Sequence, residues 1–390
     1  MIIIKIEDKE YTFCSGITLE EMLKELNYDY EDNITGAMVN NKVYSLAKPI
    51  DKDCTVEFLS LDEDDGNRIY RRSLFLVLAK VVYDLFPDSK LHIEHSLGNG
   101  IYCEINKENS LNQSDVMKIK KNMQKIIEKN IPIIHHKMSR EKIIEIYNKQ
   151  GMLDKVKLIK QLEKKEFHIY EIDGYYNYFY AVLVPDTGYL KKFDLHFRMP
   201  GFVLLFPHRK YSSKKFYFKE QPKLANVFHD YERWGEIIGV ELVSDLNDRI
   251  NQGRIGELVL ISETLQEKRL ANIADTITED INNIRVILIA GPSSSGKTTF
   301  AQRLRIHLQV NGINSVAIST DNYFVNREDT PLDETGNYDY ESINALDIDL
   351  FNSNLVSLVQ GNKTELSIYN FQTGRRDKSI SLKIEKNPSR

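Results

Sequence analysis

Gly291-Pro292-Ser293-Ser294-Ser295-Gly296-Lys297-Thr298 is the stretch that decides the interpretation of this chain. It fits the pattern G-x-x-x-x-G-K-[ST], follows the apolar run 286–290, and precedes the helix-like segment 299–308. A strand, a glycine loop and a helix in this order form a phosphate cradle, because backbone N–H groups close around phosphate oxygens at the positive end of the helix. A Ser/Gly-rich turn with a lone lysine is the alternative. The stretch predicts a nucleoside triphosphate site.

The side chains of this loop have separate expected roles. Lys297 is expected to reach the outer phosphates of ATP, and the Thr298 hydroxyl to bind Mg²⁺. ATP and Mg²⁺ are therefore the predicted cofactors. The predicted cofactor-binding residues are Gly291, Ser293, Ser294, Ser295, Gly296, Lys297, Thr298 and Thr299.

Length and composition indicate a multidomain globular protein. The chain has 390 residues, which predicts two to four domains, since a single core rarely grows past about 250–300 residues. Hydrophobic residues make up 42% and charged residues 28%, both ordinary proportions for a globular protein. The net charge of −5 argues against wholesale nucleic-acid binding but leaves a local basic face open.

Cysteine content and the N-terminus predict a cytoplasmic protein. Cys14, Cys54 and Cys103 are odd in number and lie in apolar or strand-like contexts, which favours buried thiols in a reducing compartment over disulfides. The first residues lack a basic leader and reach Glu7 and Asp8 too early for a signal peptide. No apolar run approaches the roughly 20 residues that span a bilayer, so no membrane partner is expected.

Residues 1–62 have the pattern of a β-grasp (α+β) unit. Thr18-Leu19-Glu20-Glu21 is a capping box that starts a helix ending near Leu26. An acidic turn at 62–66 closes the unit. The predicted strands are 2–6, 11–14, 37–40, 42–44 and 55–61.

Residues 68–209 are predicted to form a second α+β unit. Pro87 stops its first helix, Gly98-Asn99-Gly100 turns a hairpin, and Ser114 and Ser139 are the predicted N-caps of two further helices. The predicted elements are helices at 73–86, 114–130 and 139–151, a hairpin at 91–105, and two strands within 167–180.

The remaining residues are predicted to be a connector and a third unit. Residues 210–284 begin as a polar, basic and aromatic linker at 210–222 and continue with helical periodicity from 228. From Arg285 the pattern becomes βαβ, which predicts a parallel sheet and an α/β domain over 285–390.

Residues 1–209 resemble the N-terminal half of threonyl-tRNA synthetases. The first unit resembles their ubiquitin-like TGS domain and the second their editing domain. The stretches that carry the resemblance are Leu85-Phe86-Pro87, Gly98-Asn99-Gly100-Ile101-Tyr102 and Val184-Pro185. At the positions where the editing enzymes carry three histidines and a cysteine, this chain has Leu76, Lys80, Phe179 and Leu183. Since none of these supplies the nitrogen and sulfur ligands, we expect a binding or structural domain without editing activity.

Other polar patterns in this half have two interpretations. His92 and His95 on a predicted strand, and the adjacent His135 and His136, should point to opposite faces, which favours surface or packed histidine over metal binding. The lysines of a predicted helix either face solvent or contact RNA, and the resemblance to the synthetases keeps the second interpretation open. Its lysines are Lys118, Lys120, Lys121, Lys125 and Lys129.

Three patterns follow the glycine loop in an order that suggests catalysis. Asp321 follows a predicted strand at 314–319, where a carboxylate can accept a proton from an attacking hydroxyl and help to order Mg²⁺. An acid that merely caps a turn is the alternative. Next come Tyr338-Asp339-Tyr340-Glu341-Ser342, predicted to open a helix toward Val359, and then Ser367-Ile368-Tyr369-Asn370-Phe371, a predicted strand.

Residues 285–376 resemble the uridine kinase and phosphoribulokinase family of P-loop kinases. The resemblance implies that Asp321 is the base for a sugar hydroxyl, that Tyr340 and Glu341 contact the nucleoside, and that Tyr369 lies beside the base. The order TGS, editing-like, kinase-like resembles a group of bacterial nucleoside kinase-like proteins.

The chain departs from this family in three respects. Gly374 stands where uridine kinases usually have a histidine that reads the pyrimidine, and Glu341 replaces an aspartate. Kinases of the family are also longer than residues 285–390, so this segment is expected to hold the N-terminal part of the domain without the lid arginines. These departures leave the acceptor substrate open.

The sequence thus yields two functional hypotheses. The first is an ATP-dependent phosphotransferase that transfers the γ-phosphate to a hydroxyl of a nucleoside, with Asp321 and Lys297 as catalytic residues. The alternative is a nucleotide-dependent RNA- or ribosome-binding protein with little or no catalysis. Oligomeric state is not specified by the sequence.

Overall fold

The computed structural model describes residues 1–27, 33–207 and 216–384, and the chain divides into two compact units, Met1–Gln252 and Gly253–Arg390. The strands of the first unit are β1 (Ile2–Ile6), β2 (Lys9–Phe13), β3 (Ile17–Thr18), β4 (Ile34–Val39), β5 (Lys42–Tyr44), β6 (Pro49–Ile50), β7 (Cys54–Ser60), β8 (Lys90–Leu97), β9 (Gly100–Asn106), β10 (Ile134–Ser139), β11 (Glu166–Ile172), β12 (Tyr175–Tyr178), β13 (Asp194–Arg198) and β14 (Gly201–Leu205). Its helices are α1 (Leu19–Glu25), α2 (Asp64–Leu85), α3 (Gln113–Glu128), α4 (Arg140–Lys149), α5 (Leu153–Gln161), α6 (Pro222–Ile238) and α7 (Val243–Asn251). The second unit contains α8 (Ile255–Glu279), α9 (Lys297–Val310), α10 (Ile348–Val359), β15 (Thr364–Asn370) and β16 (Arg375–Leu382).

The first sheet has the strand order β2-β1-β7-β4-β5 and encloses a core with α1. In β1, Ile2, Ile4 and Ile6 are buried while Ile3 is exposed, as the period of two along a strand requires. The predicted capping box is confirmed: the Glu21 N–H donates to Thr18 Oγ1 at 3.2 Å, and the Thr18 N–H donates to the Glu21 carboxylate at 2.8 Å.

Helix α2 corrects the prediction of an acidic turn at 62–66. The helix begins at Asp64, so Asp64 and Asp65 lie in its first turn, where carboxylates favour the positive end of the helix. A Cβ at Gly66 would lie 1.9 Å from the Ser60 carbonyl oxygen, so only glycine permits this helix to approach β7 so closely. Buried residues of α2, among them Leu74 and Val77, enter the largest hydrophobic core of the unit.

The rest of the first unit contains a four-stranded sheet, β13-β14-β9-β8, and a three-stranded sheet, β10-β11-β12. The predicted hairpins and the Ser139 cap of α4 are confirmed. The predicted cap of α3 at Ser114 is wrong, because Asn112 and Asp115 form a reciprocal capping box two residues earlier.

The predicted connector 210–284 contributes helices to both units. In the first unit, α7 packs against α5, where Lys157 Nζ lies 2.7 Å from an Asp245 carboxylate oxygen. Gly239, at φ +64°, ends α6 in the left-handed conformation. Helix α8 belongs to the second unit and packs against α9 through Leu270, Ala274, Leu304 and Leu308. Residues 210–215 of the predicted linker and the last two residues of the predicted second unit, 208 and 209, lie outside the described ranges.

The parallel sheet predicted for 285–390 is absent from the described residues. Segments 286–290 and 314–319 have no strand assignment, and Val286 and Leu288 are 41% and 82% exposed. A strand exists only when a neighbour supplies its hydrogen bonds, and the strand pair of the described second unit is the antiparallel β15–β16. The predicted helix after the glycine loop is confirmed as α9.

The three cysteines are free: Cys103 is buried, Cys54 is partly exposed and Cys14 is exposed. The prediction that all three are buried is therefore wrong for Cys14, which lies just after the edge strand β2.

No helix within the described ranges has the length and apolar character needed to span a bilayer.

Candidate functional site

The glycine loop has the backbone geometry of a phosphate cradle. Ser294 and Gly296 take positive φ values of +59° and +84°, and α9 begins immediately afterwards at Lys297. The first N–H groups of a helix have no partner within the helix, so this end offers donors to an anion. Lys297 Nζ donates to the carbonyl oxygens of Gly291 at 2.7 Å and Pro292 at 2.8 Å, which places its charge over the loop.

Asp321 lies on a short 3-10 turn, Thr320–Tyr323, rather than at the end of a strand. The Asp321 N–H donates to Ser319 Oγ at 3.3 Å, so the serine caps the turn and the Asp321 side chain is exposed. Tyr323 anchors the turn: it is 2% exposed, and its ring lies 5.1 Å from that of Phe351. Asp321 is thus a carboxylate presented to solvent by a fixed turn.

Phe324 brings the predicted nucleoside-contacting residues together. Its ring centroid lies 6.2 Å from that of Tyr340, 5.6 Å from Tyr369 and 6.1 Å from Phe371. The Tyr369 N–H donates to Asn322 Oδ1 at 3.4 Å, which ties β15 to the Asp321 turn. We call these four aromatic residues the Phe324 cluster. Phe324 is not among the site residues predicted from the sequence, although its position three residues after Asp321 is the signal that could have indicated it.

Glu341 lies beside this cluster on a loop, not on the predicted helix. The Asp339 carboxylate accepts the N–H groups of Glu341 and Ser342, both at 3.1 Å, which forms a tight turn instead. The Glu341 side chain is exposed. The helix begins later, at Ile348, because Asp347 caps it.

An open pocket of about 550 Å³ adjoins the Phe324 cluster through Tyr338, whose ring lies 6.1 Å from that of Tyr340. Gly374 takes a φ of +70° beside this pocket, and a Cβ there would lie 2.8 Å from Arg327 Cβ. A histidine therefore does not fit position 374 without movement of Arg327. The lining residues are Arg327, Glu328, Tyr338, Thr373, Arg375 and Asp377.

The structure does not join every predicted site residue. Within residues 216–384, no hydrogen bond, ion pair or ring contact connects the loop 291–298 with Asp321. The predicted Mg²⁺ ligands Thr298 and Asp321 are therefore not brought together by such contacts, and their joint role stays a prediction.

The positions of the editing residues are filled by packed side chains. Leu76 and Leu183 are buried in the main core of the first unit, and the Phe179 ring lies 6.4 Å from that of Tyr170. Lys80 Nζ donates to both Asp84 carboxylate oxygens at 2.8 Å. An apolar core and an ion pair occupy the place of the hydrolytic groups.

The histidine pairs diverge, as their spacing predicts. His135 Nε2 lies 3.0 Å from His168 Nδ1, whereas His136 Nε2 lies 2.7 Å from a Glu171 carboxylate oxygen. His92 and His95 likewise contact different acids.

Two lysines of the lysine-rich helix α3 form ion pairs within the first unit. Lys120 Nζ lies 2.6 Å from an Asp194 carboxylate oxygen, and Lys118 lies 3.8 Å from Asp115. Lys121, Lys125 and Lys129 are exposed.

Comparison with known proteins confirms both resemblances. Residues 286–388 match the model of the Phosphoribulokinase / Uridine kinase family, a match that indicates a nucleotide-dependent kinase domain.

The N-terminal region is similar to threonine–tRNA ligases. It is 30% identical to that of Carboxydothermus hydrogenoformans over 197 residues, which cover 50% of this chain and 31% of the ligase. It is 31% identical to that of Desulforamulus reducens over 199 residues, again 50% of this chain and 31% of the ligase. It is 28% identical to threonine–tRNA ligase 1 of Bacillus subtilis over 184 residues, 47% of this chain and 29% of the ligase. The chain thus spans less than a third of the length of these relatives.

Proposed function

We propose that residues 285–390 act in an ATP-dependent kinase that phosphorylates a hydroxyl of a nucleoside. The observation that carries the proposal is the Phe324 cluster, which places Tyr340 and Tyr369 beside the turn that bears Asp321. Aromatic faces suit a nucleobase, and a carboxylate nearby suits the hydroxyl of its sugar. The family match of residues 286–388 supports this assignment.

In this proposal one group of residues binds ATP and Mg²⁺ and another acts on the acceptor, and Asp321 belongs to both groups. The backbone N–H groups of the loop and the Lys297 ammonium bind the phosphates of ATP, and Thr298 with Asp321 holds Mg²⁺. Bound Mg²⁺ neutralises charge on the transferring phosphoryl group. Asp321 takes the proton of the acceptor hydroxyl, while Tyr340, Glu341 and Tyr369 orient the nucleoside. Because the loop and the Asp321 turn are not joined by direct contacts, binding of both substrates aligns them.

The domain organisation is part of the proposal. A TGS-like β-grasp domain occupies 1–62, and a degenerate synthetase editing-like domain occupies 68–209. A linker and helical connector at 210–284 lead to the N-terminal part of a kinase domain at 285–390. The division of the chain near Gln252 falls within that connector. The three free cysteines suit a cytoplasmic location.

The test is a phosphotransfer assay with the full chain, Mg·ATP and a panel of nucleosides. We expect one class of nucleoside to be phosphorylated, and Lys297→Ala to weaken ATP binding about tenfold or more, since a hydrogen bond from a charged group contributes about 1.5–3 kcal/mol. Lys363→Ala, a change at an exposed lysine in the same unit, is the matched control. The proposal fails if no nucleoside is phosphorylated and Lys297→Ala leaves ATP affinity unchanged.

A second candidate function is RNA binding by the synthetase-like half, alone or with nucleotide dependence. Its support is the similarity to threonine–tRNA ligases together with the exposed lysines Lys121, Lys125 and Lys129 on α3. We expect the full chain to bind tRNA with an affinity that falls steeply with salt, and the triple change to Glu to reduce the salt slope by about two to three units. The same triple change at Lys5, Lys9 and Lys52, in the first 62 residues, is the control. If the α3 variant binds tRNA with the same affinity and salt dependence as the unchanged chain, α3 is not the RNA interface.

A further inference from the structure

Helix α6 contacts the β13-β14-β9-β8 sheet through Ala225 and Phe228 and brings polar side chains close to it. Ala225 packs with Leu97, Tyr102 and Val203 in a small apolar cluster. One turn further along the helix, the Phe228 ring stacks on the His95 ring with centroids 3.8 Å apart. Beyond these contacts lies a cavity of about 250 Å³.

Three metal-ligating side chains lie close together here, and two of them, His229 and Glu232, line the cavity. Glu104 comes from β9, and His229 and Glu232 come from α6, where a spacing of three residues places both on one face. Their ligand atoms all lie within 4.8 Å of one another. Donor atoms bound at about 2.1 Å to one metal ion are separated by up to about 4.2 Å, so only small side-chain movements separate this arrangement from a coordination shell.

Two polar atoms at this position are buried without a hydrogen-bond partner in the described parts of the chain: Glu232 Oε1 and His95 Nε2. A buried carboxylate oxygen left unpaired is costly, and native structures usually satisfy such groups. A cation at this position would lie beside the carboxylates of both Glu104 and Glu232.

We propose that Glu104, His229 and Glu232 bind a divalent transition-metal ion such as Zn²⁺. One imidazole with two carboxylates favours a transition metal over Mg²⁺ or Ca²⁺, which prefer shells made of oxygen alone. Three protein ligands leave a coordination position open toward the cavity. His95 Nδ1, 3.6 Å from Glu232 Oε1, is placed to orient that carboxylate.

Neighbouring groups define the rest of the site. Tyr102 Oη donates to Glu104 Oε1 at 2.6 Å, which fixes the first ligand while its second oxygen can reach a metal ion. The Arg198 guanidinium also lines the cavity and lies 3.4 Å from a Glu220 carboxylate oxygen, which offsets its positive charge. A cation bound near Arg198 would attract an anionic ligand to the open position. This site is separate from the proposed kinase residues and does not depend on them.

The test measures Zn²⁺ binding to the chelator-stripped full chain by calorimetry, with the electronic spectrum of bound Co²⁺ as the second readout. We expect one ion per chain, and affinity at least tenfold weaker in His229→Ala and in Glu232→Gln. His229 is exposed, so we expect its replacement to leave the fold unchanged. The fluorescence of Trp234, the chain's single tryptophan, reports whether α6 remains in place.

Matched controls are Asp230→Asn, at an exposed position of the same helix, and His168→Ala, on another sheet. Both should bind Zn²⁺ as the unchanged chain does. The assignment is wrong if the full chain shows no saturable Zn²⁺ binding. It is also wrong if both ligand variants keep the Zn²⁺ affinity of the unchanged chain, or if the control variants lose as much affinity as the ligand variants.

Discussion

At the scale of single residues, Phe324 is the side chain on which the candidate acceptor site depends. Its ring is in contact range of Tyr340, Tyr369 and Phe371, which come from two separate places in the sequence. The Tyr369 backbone is also held by Asn322, so the cluster and the Asp321 turn form one local structure. A ring at position 324 therefore organises the aromatic surface that the nucleoside is proposed to contact.

Phe324→Ala should raise KM for the nucleoside about tenfold while ATP affinity stays within about twofold. Each aromatic pair contributes about 0.5–1.5 kcal/mol, and the change removes three of them. Steady-state kinetics and ATP titration provide the two readouts. Val356→Ala, which removes an exposed apolar side chain from α10, is the control. Equal KM values for Phe324→Ala and the unchanged chain would contradict the assignment.

Ser73 is a small buried residue whose hydroxyl stabilises the first unit. It is fully buried, its hydroxyl donates to the Ile69 carbonyl at 2.8 Å, and its Oγ accepts the Val184 N–H at 3.0 Å. Ser73→Ala leaves that buried N–H unpaired and should lower the free energy of unfolding by about 1–3 kcal/mol. Urea unfolding followed by Trp234 fluorescence measures the change. Ser96→Ala, at an exposed position, should have little effect, and equal midpoints for the two variants would contradict this reading.

At the scale of elements, α10 shows how one acidic side chain joins a helix to a hairpin. Asp347 Oδ1 accepts the Leu350 N–H at 3.0 Å and caps the helix. Its Oδ2 accepts from Arg376 Nη1 at 3.0 Å, which ties the same helix end to β16. The cap and the ion pair act through different oxygens and can be separated by substitution.

Asp347→Asn keeps the cap and removes the ion pair, whereas Asp347→Ala removes both. We expect the alanine variant to be the less stable of the two by about 1 kcal/mol, the typical contribution of an N-cap. The asparagine variant should lose only about 0–1 kcal/mol relative to the unchanged chain, since the pair is partly exposed. Hydrogen exchange of the α10 amides measures both changes. Equal exchange in the two variants would show that the cap does not stabilise α10.

Elements with local signals were predictable, and those that depend on distant partners were not. The capping box of Thr18 and Glu21 lies within four residues, so the start of α1 could be read from the sequence. The parallel strands predicted at 286–290 and 314–319 require neighbours that supply hydrogen bonds, and the described residues contain none for them. The glycine loop and Asp321 were identified by spacing. Phe324 and the Glu104, His229 and Glu232 cluster were missed, because only folding brings their partners together.

At the scale of the whole molecule, the two halves of the sequence carry different resemblances. The first unit contains the part that is similar to threonine–tRNA ligases, with packed apolar side chains and the Lys80–Asp84 ion pair at the editing positions. The second unit contains the residues that match the kinase family, with the glycine loop and the Phe324 cluster. Catalysis is therefore expected from the second unit, whereas the first unit is expected to contain a binding or structural domain.

The most direct measurement of the central claim is the turnover of the full chain with Mg·ATP and its nucleoside in Asp321→Asn. We predict a fall in kcat of about 10²–10⁴-fold, the usual contribution of a general base, with ATP affinity nearly unchanged. Asp329→Asn, at an exposed acid on a neighbouring 3-10 turn, should retain full turnover. If Asp321→Asn turns over as fast as the unchanged chain, Asp321 is not the base and the proposed mechanism is wrong.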